Sequence, residues 1–473
     1  MSLGNFLLMR HEILLVLVLV VILIAELSTE NKKSIANLSI ILFLAVTVIG
    51  FFRVPQGSLF GGMYQTSHMT VLMKNILNIG TLILFFQVAD WIKKPEYHNK
   101  LSEFYLLILS TLIGMDFMIS SGHFLMFYIG LELATIPIAA LAAYDRLKNI
   151  SAEAGIKLIL SSALSSGILL YGISMLYGTI GSLYFSDMAA VTMDSPLQIM
   201  GFIFFFAGMG FKISLVPFHL WTADVYEGAP VNVASYLSVI SKGAAVFILA
   251  IILYTVFHTI VPVWKNLLYI IAVLTMTIGN LFALRQKNLK RFLAFSSIAQ
   301  AGFILLGVID GSSLGMASIL YFVLIYIFTN LGAFGVVSAI SASTGKENMD
   351  DYNGLYSTNP KLSLLMMLSL FSLAGIPPVA GFFGKFFLFT AAAHSGYYWL
   401  VFIAVLNATI SLYYYLLVVK AMFINKNDNP IAYFKSSLTT RIGLLMCVAG
   451  IFAIGLYSPV YEFIRMFSVG MYH

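Results

Sequence analysis

Along this chain, apolar stretches of about twenty residues alternate with short polar or Gly/Pro-rich breaks, the pattern expected when each stretch must cross roughly 30 Å of hydrocarbon. Fourteen stretches can be marked, at 12–28, 34–52, 69–92, 103–120, 123–143, 153–179, 197–221, 230–257, 263–284, 290–309, 314–341, 361–393, 398–424 and 439–466. The expected fold is an all-α polytopic membrane protein with about 14 transmembrane helices. Two spans are interrupted near membrane depth: the seventh by Gly208, Gly210 and Pro217, the twelfth by Gly375, Pro377, Pro378, Gly381 and Gly384. Proline removes a backbone donor and frees a carbonyl that lipid cannot satisfy, so such breaks belong where protein or water surrounds them. If spans four to eight and nine to thirteen are two inverted five-helix repeats, both broken spans are fourth in their repeat. Broken helices at matching places point to an ion or substrate path in transporters; the plainer alternative is a proline kink in each. This reading divides the chain into an N-terminal three-helix segment (1–100), a first repeat (101–257), a second repeat (258–424) and a C-terminal helix (425–473).

Composition narrows the class. Of 473 residues, 60% are hydrophobic and only 10% charged, with mean hydropathy +0.94, whereas soluble domains carry roughly 25% charged residues. No polar block is long enough for a large soluble domain. The single cysteine, Cys447, lies in an apolar run, which excludes disulfide frameworks, iron-sulfur clusters and cysteine-ligated zinc. Arg10 precedes an apolar run from Ile13 to Ala25, but no small-residue cleavage site follows, so the run reads as a first span and not as a signal peptide. Assigning Lys and Arg outside the span centres to alternate sides collects seventeen on one side, among them Lys32, Lys33, Lys93, Lys94, Arg285 and Lys287. Arg10, Arg53, Lys74, Lys265 and Arg465 fall on the other. Loops rich in Lys and Arg stay in the cytoplasm, which places both termini outside. The net charge of +6 then reflects cytoplasmic loops and not an anionic partner. No phosphate-cradling loop, paired-histidine zinc spacing or dinucleotide fingerprint is present, and nothing suggests a nucleic-acid partner.

Four ionisable residues sit near span centres: Glu132, Lys212, Lys242 and Lys385. Each central charge costs roughly 2.5 to 3.5 kcal/mol on insertion scales, so each is expected to face the protein interior with a partner. A static ion pair that pins helices is the alternative, but three lysines and one glutamate cannot all neutralise one another. Burial disfavours a charged lysine and a nearby carboxylate favours it, so a lysine between these influences can exchange a proton when its partner moves. Arginine could not do so. His219, seven residues after Lys212, and Lys157, at the cytoplasmic start of the sixth span, are secondary candidates; for Lys157 the alternative is snorkelling to the interface. His123, His258 and His394 fall near span ends and read as interfacial.

Three segments carry a family pattern. FKISLVPFHLWTADVYEGAPVNVASYLSVISKG (211–243), QKNLKRFLAFSSIAQAGF (286–303) and SLAGIPPVAGFFGKFFLF (372–389) resemble the antiporter-like membrane subunits of complex I, the proton-pumping NADH-quinone oxidoreductase, and the likeness runs over nearly the whole chain. Within that family, the modest length, the fourteen spans and the lysine at Lys385 are similar to the subunit N branch, equivalent to mitochondrial subunit 2. The resemblance implies that Glu132 is the helix-five glutamate paired with Lys212, Lys242 the central helix-eight lysine, and Lys385 the terminal lysine of the second half-channel, with Lys157 and His219 also at family positions. It further implies a proton-pumping translocase subunit with no redox centre or cofactor of its own. Flavin, iron-sulfur clusters and quinone would belong to other subunits. The expected partners are other membrane subunits of complex I, neighbouring antiporter-like subunits included, and membrane lipids, in a bacterial inner membrane. Three positions depart from the pattern: Gln300 where many relatives have histidine, Phe295 where many have tyrosine, and Ala223 where a proline usually precedes Asp224. A glutamine cannot titrate, so a relay through that point would need water. The motifs are shared with multi-subunit sodium/proton antiporters, which leaves that function as an alternative; a purely structural subunit is a third reading, opposed by the full set of central charges.

Overall fold

A computed structural model describes residues 3–29 and 32–468. Thirteen segments among them are helical, long and apolar enough to cross a membrane, and a fourteenth crossing is assembled from two shorter helices. In chain order the elements that matter here are α1 (Arg10–Ser28), α2 (Lys32–Gly50), a two-stranded hairpin of β1 (Gly57–Leu59) and β2 (Tyr64–Thr66), α3 (His68–Gln87) and α4 (Leu101–Ile119). Then come α5 (Phe124–Leu133), α6 (Ile136–Ala142), α7 (Asn149–Ile180), α8 (Pro196–Ile213), α9 (Leu220–Gly228), α10 (Val231–Tyr236) and α11 (Lys242–Thr255). The rest of the chain forms α12 (Val261–Ala283), α13 (Leu289–Asp310), α14 (Ser313–Thr344), α15 (Pro360–Ala374), α16 (Ala380–His394), α17 (Tyr398–Phe423), α18 (Leu438–Leu456) and α19 (Pro459–Ser468).

The chain forms two compact units. The first holds Met1–Leu82, Lys93–Ile213 and Ser241–Asn266, the second Ile83–Ile92, Ser214–Ile240 and Leu267–His473. In the first, α4 and α5 approach so closely that a Cβ on Gly114 would lie 2.4 Å from the Ala134 nitrogen, and one on Gly130 would lie 2.7 Å from that of Met118. Small residues at these two positions let the backbones meet, the usual device where hydrophobic burial cannot drive helices together in lipid. In the second, α13 and α14 are buried along nearly their whole length and form the centre around which the other helices stand. Side-chain caps fix where these two begin: Asn288 accepts from the backbone of Lys290 and Arg291, and Ser312 from Leu314 and Gly315, which satisfies donors that a helix start leaves open.

Both expected interruptions are present. The seventh crossing stops at Ile213 and resumes at Leu220, and it continues to Gly228, past the predicted limit. Ser214 takes φ +69 and the Val216–Pro217 bond is cis. The twelfth crossing is α15 and α16, separated by Gly375 at φ +90 and a cis Pro377–Pro378 bond. Two further interruptions have no counterpart in the predicted spans. The fifth crossing is broken between α5 and α6 at Ala134 and Thr135, one turn after Glu132, with Pro137 in the first turn of α6. The eighth contains a π-helical turn over Leu237–Ser241 that ends where Lys242 begins α11. Lys74, counted among the charges outside the span centres, is buried at 1% exposure, and Lys290 at the start of α13 at 6%. Each has a carboxylate partner contributed by a distant part of the chain, Glu12 and Glu347.

Candidate functional site: buried lysines beside backbone breaks

In the first unit, Lys212 occupies the last turn of α8. Its Nζ donates to Thr135 Oγ1 at 2.6 Å, and Thr135 in turn donates to the Leu131 carbonyl at 2.6 Å. The Glu132 carboxylate acts on Lys212 electrostatically, but the expected direct ion pair is not formed. The reason is the break between α5 and α6: Thr135, three residues beyond Glu132, receives the ammonium instead. One Glu132 oxygen is buried without a hydrogen-bond partner, while the Tyr128 hydroxyl, one turn earlier, lies beside the carboxylate. The lysine therefore has a neutral partner in hand and a charged partner nearby.

Lys242 is 5% exposed at the start of α11. The π turn before it replaces the regular i to i−4 ladder, a distortion that recurs at functional sites in helices. Lys157 pairs with Glu153 at 2.6 Å, one turn back along α7, and the two side chains are 42% and 60% exposed.

In the second unit, Lys385 projects from α16 and is 4% exposed. Its Nζ donates to the Ala374 carbonyl at 3.0 Å, a group set free where α15 ends. It also lies 4.7 Å from the centre of the Phe303 ring, so a carbonyl lone pair and an aromatic face both meet its cationic head. Beside it is a small cavity lined by Gln300, Phe322, Ile325, Tyr326, Thr329, Ser372, Leu373 and Gly381. The cavity has a volume of about 10 Å³, at the lower bound for one water. Gln300 and Tyr326 are the largest uncharged polar side chains in its lining, and Gln300 Oε1 is buried without a hydrogen-bond partner. Gln300 Nε2 donates to the Leu373 carbonyl at 3.1 Å and to the Tyr415 hydroxyl at 3.3 Å. Tyr415 shares a 2.6 Å hydrogen bond with Ser296. Glutamine at position 300 is thus held through its amide nitrogen, where a histidine would supply a titratable ring.

His219 is buried at the start of α9 in the second unit. Asp224, one turn further on, and Glu227 both receive hydrogen bonds from Arg291 Nη1, at 2.7 and 2.8 Å. Lys290 next to it reaches Glu347 at 3.0 Å and the Ala229 carbonyl at 3.2 Å. Thr135, the cavity-lining Tyr326 and this arginine-centred cluster are absent from the sequence-based candidates. Threonine and tyrosine carry no charge to mark them in an apolar run, and the Arg291 partners lie 64 and 67 residues away.

The sequence model of the family described as "NADH:quinone oxidoreductase/Mrp antiporter, TM" matches residues 121–411. NADH-quinone oxidoreductase subunit N of Phocaeicola vulgatus is 57% identical over 422 residues, 89% of each chain. The protein of the same name from Azobacteroides pseudotrichonymphae is 49% identical over 478 residues, 100% of this chain and 99% of that one. A chain in the structure described as respiratory complex I from Thermus thermophilus with bound aureothin is 28% identical, with TM-score 0.79 over 95% of this chain and 97% of that one. A chain of the Mrp complex from a Dietzia species has TM-score 0.84 over 100% and 98% at 19% identity, a likeness of fold alone. The family match spans the segment that holds Glu132, Lys212, Lys242 and Lys385, and on these grounds the chain belongs to the NADH-quinone oxidoreductase subunit N family.

Proposed function

We propose that this chain moves protons across the bacterial inner membrane as a membrane subunit of the proton-pumping NADH-quinone oxidoreductase, with Glu132, Lys212, Lys242 and Lys385 as the carriers. The observation that supports this reading is the placement of all three central lysines at backbone irregularities: Lys212 before the break in the seventh crossing, Lys242 after a π turn, and Lys385 bonded to the carbonyl freed in the twelfth. Irregular backbone at membrane depth gives water a polar foothold that a regular helix denies it. A lysine beside water can release a proton into a hydrogen-bonded chain, and the cavity between Lys385, Gln300 and Tyr326 offers such a contact. Gln300 carries the proton only by orienting water, since its amide does not titrate.

NADH oxidation and quinone reduction belong to other subunits, and their energy arrives here as a change in the lysines' surroundings. Moving one charge against 100 mV takes about 2.3 kcal/mol. A hundredfold change in one lysine's proton affinity is about 2.7 kcal/mol, so a modest rearrangement around one such group is of the right size. His219 and Lys157 stand as secondary carriers. The 101–257 and 258–424 segments act as two half-channels, both termini face outward, and the partners are neighbouring membrane subunits and lipid.

The test is Lys242→Ala in the assembled complex, reconstituted in vesicles with NADH supplied outside. The expected result is assembly on native gels with loss of NADH-driven acidification. An assembled Lys242→Ala complex that pumps at the parental rate removes Lys242 from the path. A sodium gradient that drives acidification without NADH favours the antiporter reading.

A further inference from the structure

The first unit contains a second buried titratable cluster, away from the Lys212 site. Glu12 of α1 pairs with Lys74 of α3 at 2.6 Å, and the two side chains are 2% and 1% exposed. The hairpin residue Tyr64, wholly buried, has its hydroxyl 2.9 Å from both Glu12 oxygens and accepts from Lys74 Nζ at 3.0 Å. Asp116 of α4 is also wholly buried. Both its carboxyl oxygens lack a hydrogen-bond partner, although Lys74 and Glu12 act on it electrostatically. One turn along α3 from Lys74, Asn78 is buried with both side-chain polar atoms unpartnered. Arg10 and His11 are the remaining titratable neighbours; His11 is held by Asn75 at 3.0 Å and Arg10 by the Gly50 and Phe52 carbonyls.

Two carboxylates face one lysine here. With Lys74 already paired to Glu12, an ionised Asp116 would be a lone buried charge, which costs several kcal/mol after relaxation. A proton on Asp116 removes that charge. We propose that Asp116 is a proton-holding group, through which the interior of the first unit exchanges a proton with its hairpin-bearing face. When Asp116 releases its proton to water, the cluster gains a net negative charge beside Lys74, and a proton returning to Asp116 restores neutrality. This inference rests on the proton-moving reading above, but it concerns different residues.

A hydrophobic carbodiimide tests it on the unmodified assembled complex. The reagent reacts with protonated carboxyls: the carboxyl proton moves to one nitrogen, the carboxylate oxygen bonds the central carbon, and the adduct rearranges without loss of atoms to a stable N-acylurea. Peptide mass spectrometry is expected to find the adduct on Asp116. A complex labelled at other buried carboxyls but not at Asp116 overturns the proposal. In a second arm, Asp116→Asn, the neutral isostere, should assemble and lose most NADH-driven acidification while Asp116→Glu restores it. Parental pumping by Asp116→Asn also overturns it. Labelling does not depend on pumping, so normal pumping by Lys242 and Lys385 variants would sink the earlier reading while leaving a labelled Asp116 intact.

Discussion

The breaks in the seventh and twelfth crossings share a backbone plan and differ in where they keep their lysine. Each has a residue in the left-handed region followed three positions later by a proline: Ser214 and Pro217 in one, Gly375 and Pro378 in the other. Lys212 comes two residues before the left-handed position, whereas Lys385 comes ten residues after it. The consequence is visible in the partners. Lys212 reaches outward to a hydroxyl at another crossing's break, Thr135. Lys385 folds back on the carbonyl of its own break, Ala374. What the two share is therefore the interruption, and each lysine exploits it from a different end.

The strongest test of this comparison is Lys385 itself. Lys385→Ala should abolish NADH-driven acidification in an assembled complex, and Lys385→Arg should do so too, because arginine keeps the charge but cannot release a proton. Parental pumping by the arginine variant would reduce Lys385 to a static charge and end the parallel with Lys212. Next in size is Gly381→Ala. A Cβ there would sit 1.7 Å from the Ser372 carbonyl oxygen, and the Gly381 nitrogen donates to Ser372 Oγ at 3.0 Å. We expect a loss of about 3 kcal/mol, of the size of severe overpacking, seen as a lowered melting temperature or failed assembly.

A smaller effect is expected from Thr135→Val, which keeps the shape and removes the hydroxyl that receives Lys212. Loss of one hydrogen bond to a charged group is worth about 1.5 to 3 kcal/mol. The ammonium should turn to Glu132, so assembly is retained and pumping slows without stopping; an unchanged pumping rate would show that the Thr135 contact is incidental. The smallest effect concerns the two left-handed positions. Ser214→Gly should raise stability by about 1 kcal/mol by relieving a side chain at positive φ, since Ser214 Oγ is buried without a partner and nothing is lost with it. Gly375→Ala should do the reverse, with its Cβ 3.1 Å from Lys385 Cδ. Thermal unfolding of the two assembled variants checks the opposite signs.

The crossings and the two main breaks are legible in the sequence because lipid forces long apolar runs and because glycine and proline punctuate them. The break at Thr135 is harder to read. Its only marker is Pro137, which is tolerated in the first turn of a helix and so passes unnoticed inside an apolar run. The π turn before Lys242, Leu237–Ser241, carries no glycine or proline to mark it. Lys74 was misplaced for a different reason: near a span end a lysine usually snorkels, and only the fold brings Glu12, 62 positions away, into contact with it. The central lysines themselves are plain from sequence, but the partners of Lys212 and Lys385 are not, because a threonine hydroxyl and a freed carbonyl carry no charge to search for.

Each unit also contains one rod of 32 residues, α7 in the first and α14 in the second. At 1.5 Å per residue each is about 48 Å long, well beyond the roughly 30 Å of hydrocarbon and slightly beyond the 40–45 Å that includes headgroups. Ordinary tilts of about 20° shorten the vertical reach by only a few ångströms. Both rods must therefore stand in the headgroup layers at both ends, where they act as depth gauges. A thinner bilayer leaves a longer part of each rod outside the hydrocarbon or increases its tilt.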